Sequence, residues 1–100
     1  MNNENLILGA NGFGDNSAIN QAQIDICKSW IKDNAISKES INTKLSSYTL
    51  KHLVEDSSLA KDSSINYVAN GAFIKAAIEL GYKYKQVGDL NAQFNMVIKK

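Results

Sequence analysis

Hydrophobic residues recur at helical spacing most clearly in the last third of the chain. From position 73 onward they follow one helix face: Phe73, Ile74, Ala77, Ile78 and Leu80. Asn70 is a favourable N-cap residue, and Gly81 stands where a left-handed residue commonly ends a helix. The pattern predicts a helix over Gly71–Leu80, with Lys75 and Glu79 as a solvated pair four residues apart.

The periodicity changes to two directly after this helix. Tyrosines and lysines alternate from Tyr82 toward Val87, so the tyrosines share one face and the lysines the other. Gly88-Asp89 supplies residues typical of a turn. Apolar residues then alternate with polar ones as far as Ile98. The segment predicts a C-terminal β-hairpin over 82–98, which must pack on the helices because an isolated hairpin is only marginally stable.

A first helix is predicted from a cap at Ser17 or Asn20 to about Lys32 or Asp33. One face of this helix is apolar and consists of Ile24, Cys27, Trp30 and Ile31. Residues 37–46 are compatible with a loop or with one or two helical turns.

A second helix is predicted over Tyr48–Asp56, with Ser46 or Ser47 as its cap. The buried stripe of this helix is Leu50, Leu53 and Val54, and the exposed pair is Lys51 and Glu55. Residues 56–64 are serine-rich and predict a connecting loop.

Residues 1–16 are rich in asparagine and glycine and predict a flexible N-terminal segment. The run Gly9–Gly14 invites comparison with a phosphate-binding loop. That signature requires a lysine followed by serine or threonine after the second glycine. Asp15-Asn16 follow this run instead, so a flexible loop is the preferred interpretation.

Composition indicates one small domain, residues 17–100, behind that segment. The chain has 100 residues, of which 44% are hydrophobic, and a formal net charge of +1. A nearly neutral charge gives no general argument for nucleic acid or for an acidic substrate. No signal peptide and no apolar run of membrane-spanning length is evident, so a cytoplasmic protein is expected. Cys27 is the single cysteine and is expected to be a buried hydrophobe.

Residues with catalytic potential are few. His52 is the only histidine, and helical spacing places Glu55 beside it, but no nucleophile or oxyanion hole accompanies them. One histidine and one cysteine cannot complete a tetrahedral zinc site, and the carboxylates are dispersed. The sequence therefore predicts a protein that is not an enzyme, with no metal and no cofactor.

Short helices followed by a hairpin give the element order of a winged helix-turn-helix. The predicted fold class is α+β, with three or four short helices, a C-terminal β-hairpin and a winged-helix-like arrangement. Tyr48–Asp56 would be the support helix, Gly71–Leu80 the recognition helix and Tyr82–Ile98 the wing, whose lysines Lys83 and Lys85 contact phosphates. Two features count against this interpretation: the recognition helix is short and mostly apolar, and the link before it is long.

Four segments resemble a family of small uncharacterised proteins of phages, plasmids and integrative elements. They are S-S-Y-T-L-K-H-L-V-E at 46–55, Y-V-A-N-G-A-F-I-K-A-A at 67–77, G-Y at 81–82 and N-A-Q-F-N-M at 91–96. The resemblance covers about half of the chain, and Ala69 stands where the family often has serine. Polar residues of the family pattern fall here on Ser47, Tyr48, Lys51, His52, Glu55, Asn70, Asn91 and Asn95. Lys51, His52 and Asn95 have no evident structural need among these, so they are expected at a surface site.

The sequence favours a non-enzymatic accessory protein of a mobile genetic element, and two classes of partner stay open. The first is DNA or another nucleic acid, bound through the C-terminal helix and the basic hairpin. The alternative is a host protein complex, bound by a module such as a phage-encoded inhibitor of host defence. The expected binding residues are Lys51, His52, Lys75, Lys83, Lys85 and Asn95.

Overall fold

The computed structural model describes residues 7–99, which form four helices and six short strands. In chain order the elements are β1 Leu8–Gly9, β2 Gly12–Phe13, α1 Gln21–Asn34, β3 Ala35–Ser37, α2 Ser47–Glu55, α3 Ser58–Asp62, α4 Asn70–Glu79, β4 Tyr84–Val87, β5 Asn91–Phe94 and β6 Met96–Ile98. The Cα radius of gyration is 12.5 Å, close to the roughly 13 Å expected of a folded chain of this length. The predicted α+β class is confirmed.

Helix α4 lies at the centre of the domain. Seven of its ten residues are buried, and they lie on all sides of the helix, which is typical of a core helix. The ring of Phe73 contacts that of Trp30 on α1 and that of Phe94 on β5, with centroid separations of 6.3 and 5.8 Å. The aromatic contacts of Phe73 thus join the first helix and the last hairpin through α4.

Helix α1 follows its prediction closely. Its buried residues are the predicted face, Ile24, Cys27, Trp30 and Ile31. Asn20 is the N-cap, and its side-chain oxygen accepts a hydrogen bond from the backbone N–H of Gln23 at 3.1 Å. Apolar spacing and a capping residue were sufficient to predict this helix and its orientation.

Helix α2 is rotated relative to its prediction. Leu50 and Val54 are buried as expected, but Leu53 is 38% exposed, and Lys51, expected at the surface, is only 5% exposed. The long aliphatic part of a lysine can line an apolar interior when its ammonium group finds partners. Lys51 finds such a partner in Glu55, so the inward face of α2 includes a charged residue.

The strands form three two-stranded antiparallel sheets, with pairs β1–β2, β3–β6 and β4–β5. β4 and β5 pair from Tyr84 opposite Phe94 to Val87 opposite Asn91. The chain then leaves this pair, and β6 pairs with β3 directly after α1. The alternation of apolar and polar residues up to Ile98 predicted one returning strand of the hairpin, and this was wrong: the segment forms two strands with different partners, because alternation predicts a strand but does not identify its partner.

The structure decides between the two alternatives left open for residues 37–46 and corrects the prediction for residues 56–64. Residues 37–46 contain no helical turn; the loop is tied to the last strands by hydrogen bonds from Asn42 to the carbonyls of Phe94 and Met96. The predicted loop over 56–64 includes the short helix α3. Ser57 is its N-cap and accepts a hydrogen bond from the backbone N–H of Ala60.

The glycine-rich run packs against the start of α4. Phe13 is 4% exposed, and its ring stacks on that of Tyr84 at 5.7 Å. The N–H of Gly71 donates to the carbonyl of Ala10 at 2.9 Å. Phe13 is therefore a core residue with Leu8 and Ala10 packed against the core, which the interpretation of this run as a flexible loop did not anticipate; residues 1–6 lie outside the described range.

Asn70 was expected to cap α4, but it is the first residue of the helix. The N-cap position is Ala69, which has no capping side chain. The side-chain amide of Asn70 donates instead to the carbonyl of Asn11 and to the side chain of Asn91, at 3.1 and 2.9 Å. It connects the N-terminal hairpin with the last one, a role that only the tertiary structure could reveal.

In the part of the chain that the structure covers, no helix has the length and apolar character needed to cross a lipid bilayer.

Candidate functional site

The structure distributes the expected binding residues over three places. Lys51 and His52 lie on α2, Lys75 lies on α4, and Lys83, Lys85 and Asn95 belong to the region of the β4–β5 pair. The three places differ in ion pairing: Lys51 and Lys75 each pair with a glutamate, whereas Lys83 and Lys85 form no ion pair among the described residues.

Lys51 is enclosed by one carboxylate and two aromatic rings. Its Nζ atom lies 3.0 Å from Oε2 of Glu55. The same atom lies 4.4 Å from the ring centroid of Tyr67 and 5.6 Å from that of Tyr48. A cation this close to aromatic faces is attracted by their negative electrostatic potential. Because Lys51 is both buried and paired, its ammonium group is not available as an exposed binding charge.

Glu55 is the centre of this arrangement. Its Oε2 atom also accepts a hydrogen bond from the backbone N–H of Val68 at 2.8 Å, and its Oε1 atom lies 3.0 Å from Nδ1 of His52. Burial by itself would raise the pKa of Glu55. The hydrogen bonds from Val68 and Lys51 outweigh this effect and hold the pKa below its ordinary value. Glu55 therefore fixes the segment before α4 onto α2.

Exposed aromatic rings lie on and beside α2. Tyr48 and His52 belong to this helix, and Tyr67 belongs to the segment before α4. Tyr48 is 53% exposed and Tyr67 is 55% exposed. The imidazole of His52 meets the ring of Tyr48 edge to face at a centroid distance of 4.6 Å. We refer to Tyr48, His52 and Tyr67 as the aromatic surface.

Asn95 joins the β4–β5 pair to the end of β3. Its Oδ1 atom accepts from the backbone N–H of Lys83 at 2.7 Å, and its Nδ2 atom donates to the carbonyl of Lys38 at 2.9 Å. Asn95 is 8% exposed, so the expectation that it has no structural need was wrong. The consequence is that the backbones of Lys38 and Lys83, 45 positions apart in the sequence, are both hydrogen-bonded to Asn95.

Gln93 links the strand position of Lys85 to the segment that carries Lys44. It lies opposite Lys85 in the β4–β5 register, and its side-chain amide donates to the carbonyl of Thr43 at 3.1 Å, next to Lys44. We refer to Lys38, Lys44, Lys83 and Lys85 as the basic surface. All four are exposed, and none of them forms an ion pair among residues 7–99.

Sequence reasoning missed Lys38 and Lys44. They lie in the segment 37–46, whose tertiary contacts come from Asn95, Gln93 and backbone hydrogen bonds. The carboxylates nearest in sequence to the four lysines are Glu39, Glu79 and Asp89. Glu79 is paired with Lys28 and Lys75, so the four lysines outnumber the two remaining carboxylates.

An open hollow of about 310 Å³ lies beside the basic surface. It is lined by Ser37, Leu80, Gly81, Tyr82 and Asn95. Burial raises the pKa of Tyr82 above its ordinary value, so its hydroxyl stays protonated at neutral pH. The hollow therefore offers neutral polar groups, and two of its lining residues, Ser37 and Tyr82, are each followed in the chain by a lysine that does not itself line the hollow.

Lys75 is engaged in an ion-pair network on the helices. Its Nζ atom lies 3.4 Å from Glu79, which also binds Lys28 of α1 at 2.7 Å. The hydrogen bond from Lys28 is the main cause that lowers the pKa of Glu79. Lys75 thus belongs to an ion-pair network that joins α1 and α4, and the residues of this network belong to neither the aromatic surface nor the basic surface.

The described residues offer little for catalysis. Cys27 is fully buried, and burial raises the pKa of its thiol to about 12, so it is not a nucleophile at neutral pH. Within residues 7–99, no three histidine, cysteine or carboxylate side chains come together as a metal site would require. Among the described residues, the other hydrogen-bond partners of the His52–Glu55 pair are the ammonium group of Lys51 and the backbone N–H of Val68, and no serine, threonine or cysteine side chain is among them.

Comparison of this chain with protein-family models, with curated proteins and with solved structures finds no match.

Proposed function

We propose that this chain is a small non-enzymatic accessory protein of a mobile genetic element that binds nucleic acid through the basic surface. The observation that carries the proposal is the Asn95 junction, which hydrogen-bonds the backbones of both Lys38 and Lys83. Unpaired, exposed lysines are the groups that neutralise phosphates and release their counterions. The resemblance of residues 46–96 to proteins of phages and plasmids supports the mobile-element part.

The way in which the protein contacts nucleic acid differs from the sequence-based expectation. A winged-helix-like arrangement would use α4 as the recognition helix in a DNA groove. Seven of its ten residues are buried in the core, which leaves no helix face to read bases. We therefore propose that the β4–β5 pair and the loop after β3 contact the phosphates, and that α4 supports them from behind.

Salt dependence tests this proposal directly. Four phosphate contacts correspond to a slope of log K against log salt of about −3.6 for duplex DNA and about −2.8 for a single strand. Fluorescence anisotropy of a labelled duplex, and of one of its strands, would measure the slope between about 50 and 200 mM salt. Absence of salt-sensitive binding by the intact chain would refute the proposal.

Charge-removing variants locate the contact. We expect the double variant Lys83→Gln, Lys85→Gln to weaken binding and to reduce the slope by about 2. Lys61→Gln is the matched control, because Lys61 is an exposed lysine of α3, outside the basic surface. Equal effects of the control and the double variant would place the contact elsewhere.

A second candidate is a protein partner, for instance a host protein complex that this chain inhibits. The observation that favours it is the aromatic surface, where two half-exposed tyrosines stand over an already neutralised Lys51. Tyrosines are enriched among the residues that dominate protein–protein binding. A stoichiometric partner recovered from host lysate by the intact chain, lost in Tyr48→Ala and kept in the Lys83, Lys85 variant, would support this candidate over the first.

A further inference from the structure

We propose that the hollow beside the basic surface holds one unstacked base of a single-stranded nucleic acid. Tyr82 is the stacking platform, and Asn95 hydrogen-bonds the edge of the base. This inference rests on the proposed function and makes it more specific, since it commits the protein to single strands. Proteins that recognise single strands commonly combine aromatic platforms with positive charges that follow the backbone.

The position of the hollow suits a strand whose phosphates cross the basic surface. Ser37 and Tyr82 both line the hollow. Each is followed directly by a lysine of the basic surface, Lys38 after Ser37 and Lys83 after Tyr82. We place the phosphates of a nucleotide in the hollow toward these two lysines, which follow lining residues but do not line the hollow themselves. Its volume of about 310 Å³ is at the lower limit of ligand pockets, which suits one nucleoside unit.

Asn95 has hydrogen-bonding capacity left for a base. Its oxygen has accepted one bond, from Lys83, and its nitrogen has donated one, to Lys38. An amide has two acceptor sites and two donor hydrogens, so one of each remains. The two existing bonds also fix the amide orientation, because a flip would set its nitrogen against the N–H of Lys83. A fixed donor next to a fixed acceptor is the pattern with which asparagine pairs to adenine.

Tyr82 supplies a ring at the same place. It is partly buried against the core and lines the hollow, so its orientation is held by packing. Replacing an aromatic platform typically costs about tenfold in affinity for a single strand. The same replacement has no reason to affect duplex DNA, whose bases stay stacked.

The test compares a labelled single strand of about ten nucleotides with the duplex of the same sequence, using the full chain. We expect tighter binding of the single strand. Tyr82→Leu should weaken the single strand about tenfold and leave the duplex unchanged. Ser37→Leu, which fills the hollow from an exposed strand position, should have the same selective effect. Leu53→Ala, at an exposed apolar position of α2 outside the hollow and both named surfaces, is the control, and thermal melting verifies that each variant is folded.

Photo-crosslinking gives an independent readout. A single strand that carries 5-bromodeoxyuridine should crosslink to Tyr82, located by peptide mass spectrometry, and Ser37→Leu should abolish that product. Salt-sensitive binding that is equal for strand and duplex, and unchanged by Ser37→Leu and Tyr82→Leu, would overturn the hollow proposal while the proposed function stands. No salt-sensitive binding of either probe would instead remove the proposed function, and this inference with it.

Discussion

The backbone of Gly71, in the first turn of α4, lies directly against the carbonyl oxygen of Gly9 in β1. A Cβ atom on Gly71 would stand only 1.7 Å from that oxygen. No side chain larger than hydrogen fits unless β1 moves away from α4. The contact explains why the glycine-rich run is built into the fold and is not free to cradle a phosphate.

Gly71→Ala should therefore destabilise the protein by roughly 3 kcal/mol, in the upper part of the range for overpacking. Urea unfolding would measure the change in the free energy of unfolding. Gly14→Ala is the matched control, because a Cβ there meets nothing within 4 Å and only the positive φ of 78° opposes it. We expect the control to cost about 1–2 kcal/mol. A smaller loss for Gly71→Ala than for Gly14→Ala would contradict the close approach of β1 and α4.

Asn95→Ala should cost about 2 kcal/mol, because it leaves the N–H of Lys83 and the carbonyl of Lys38 without their partners. Hydrogen exchange followed by NMR offers a local readout, in which the amide of Lys83 should lose protection. Asn66→Ala, at an exposed position outside the elements, should stay within about 0.5 kcal/mol of the parent protein. Unchanged exchange at Lys83 would show that Asn95 does not hold this junction.

These contacts show where sequence-based prediction succeeds and where it ends. The spacing of Ile24, Cys27, Trp30 and Ile31 fixed the inward face of α1, because a fourteen-residue helix repeats its pattern several times. Helix α2 has nine residues, and its orientation depends on Tyr67 and Val68, which meet it from a distant part of the sequence. The short pattern could not reveal that Lys51 points inward.

The candidate sites show the same limit. Lys51 and His52 were found together because they are consecutive, and Lys83 with Lys85 because a strand repeats every two residues. Lys38 is connected to Lys83 through Asn95, whose side-chain amide and backbone both hydrogen-bond the backbones of the two lysines. No periodicity links positions 38, 83 and 95. The order of helices and strands likewise predicted a wing, but not that Met96–Ile98 would pair with Ala35–Ser37.

Glu55→Gln should remove a pH-dependent part of the stability. The carboxylate has a lowered pKa in the folded protein, so it binds its proton more weakly there than in the unfolded chain. Its contribution is therefore present above the ordinary pKa of 4.5 and is lost as the pH falls through the folded value. At neutral pH we expect Glu55→Gln to cost about 2–3 kcal/mol, because Lys51 keeps its buried charge without a counterion.

Unfolding free energies measured from pH 7 downward would check this sign. The difference between the parent protein and Glu55→Gln should shrink once the pH passes below about 4.5. Glu79→Gln is the comparison, because Glu79 also has a lowered pKa but is about one third exposed, so solvent screens its ion pairs. A difference that grows as the pH falls would rule out Glu55 as the stabilising anion of Lys51.

Tyr67 and Tyr48 should differ in their coupling to Lys51. The ammonium group lies 4.4 Å from the centroid of Tyr67 and 5.6 Å from that of Tyr48. A partly desolvated cation over an aromatic face gains about 1–2 kcal/mol, and the attraction weakens with distance. A double-mutant cycle with Lys51→Met and Tyr67→Leu, measured by urea unfolding, should give a coupling energy of about 1 kcal/mol. The parallel cycle with Tyr48→Leu should give a smaller value. If the two cycles agreed, the ring of Tyr67 would have no special role in burying Lys51, and both tyrosines would be equally free to contact a partner.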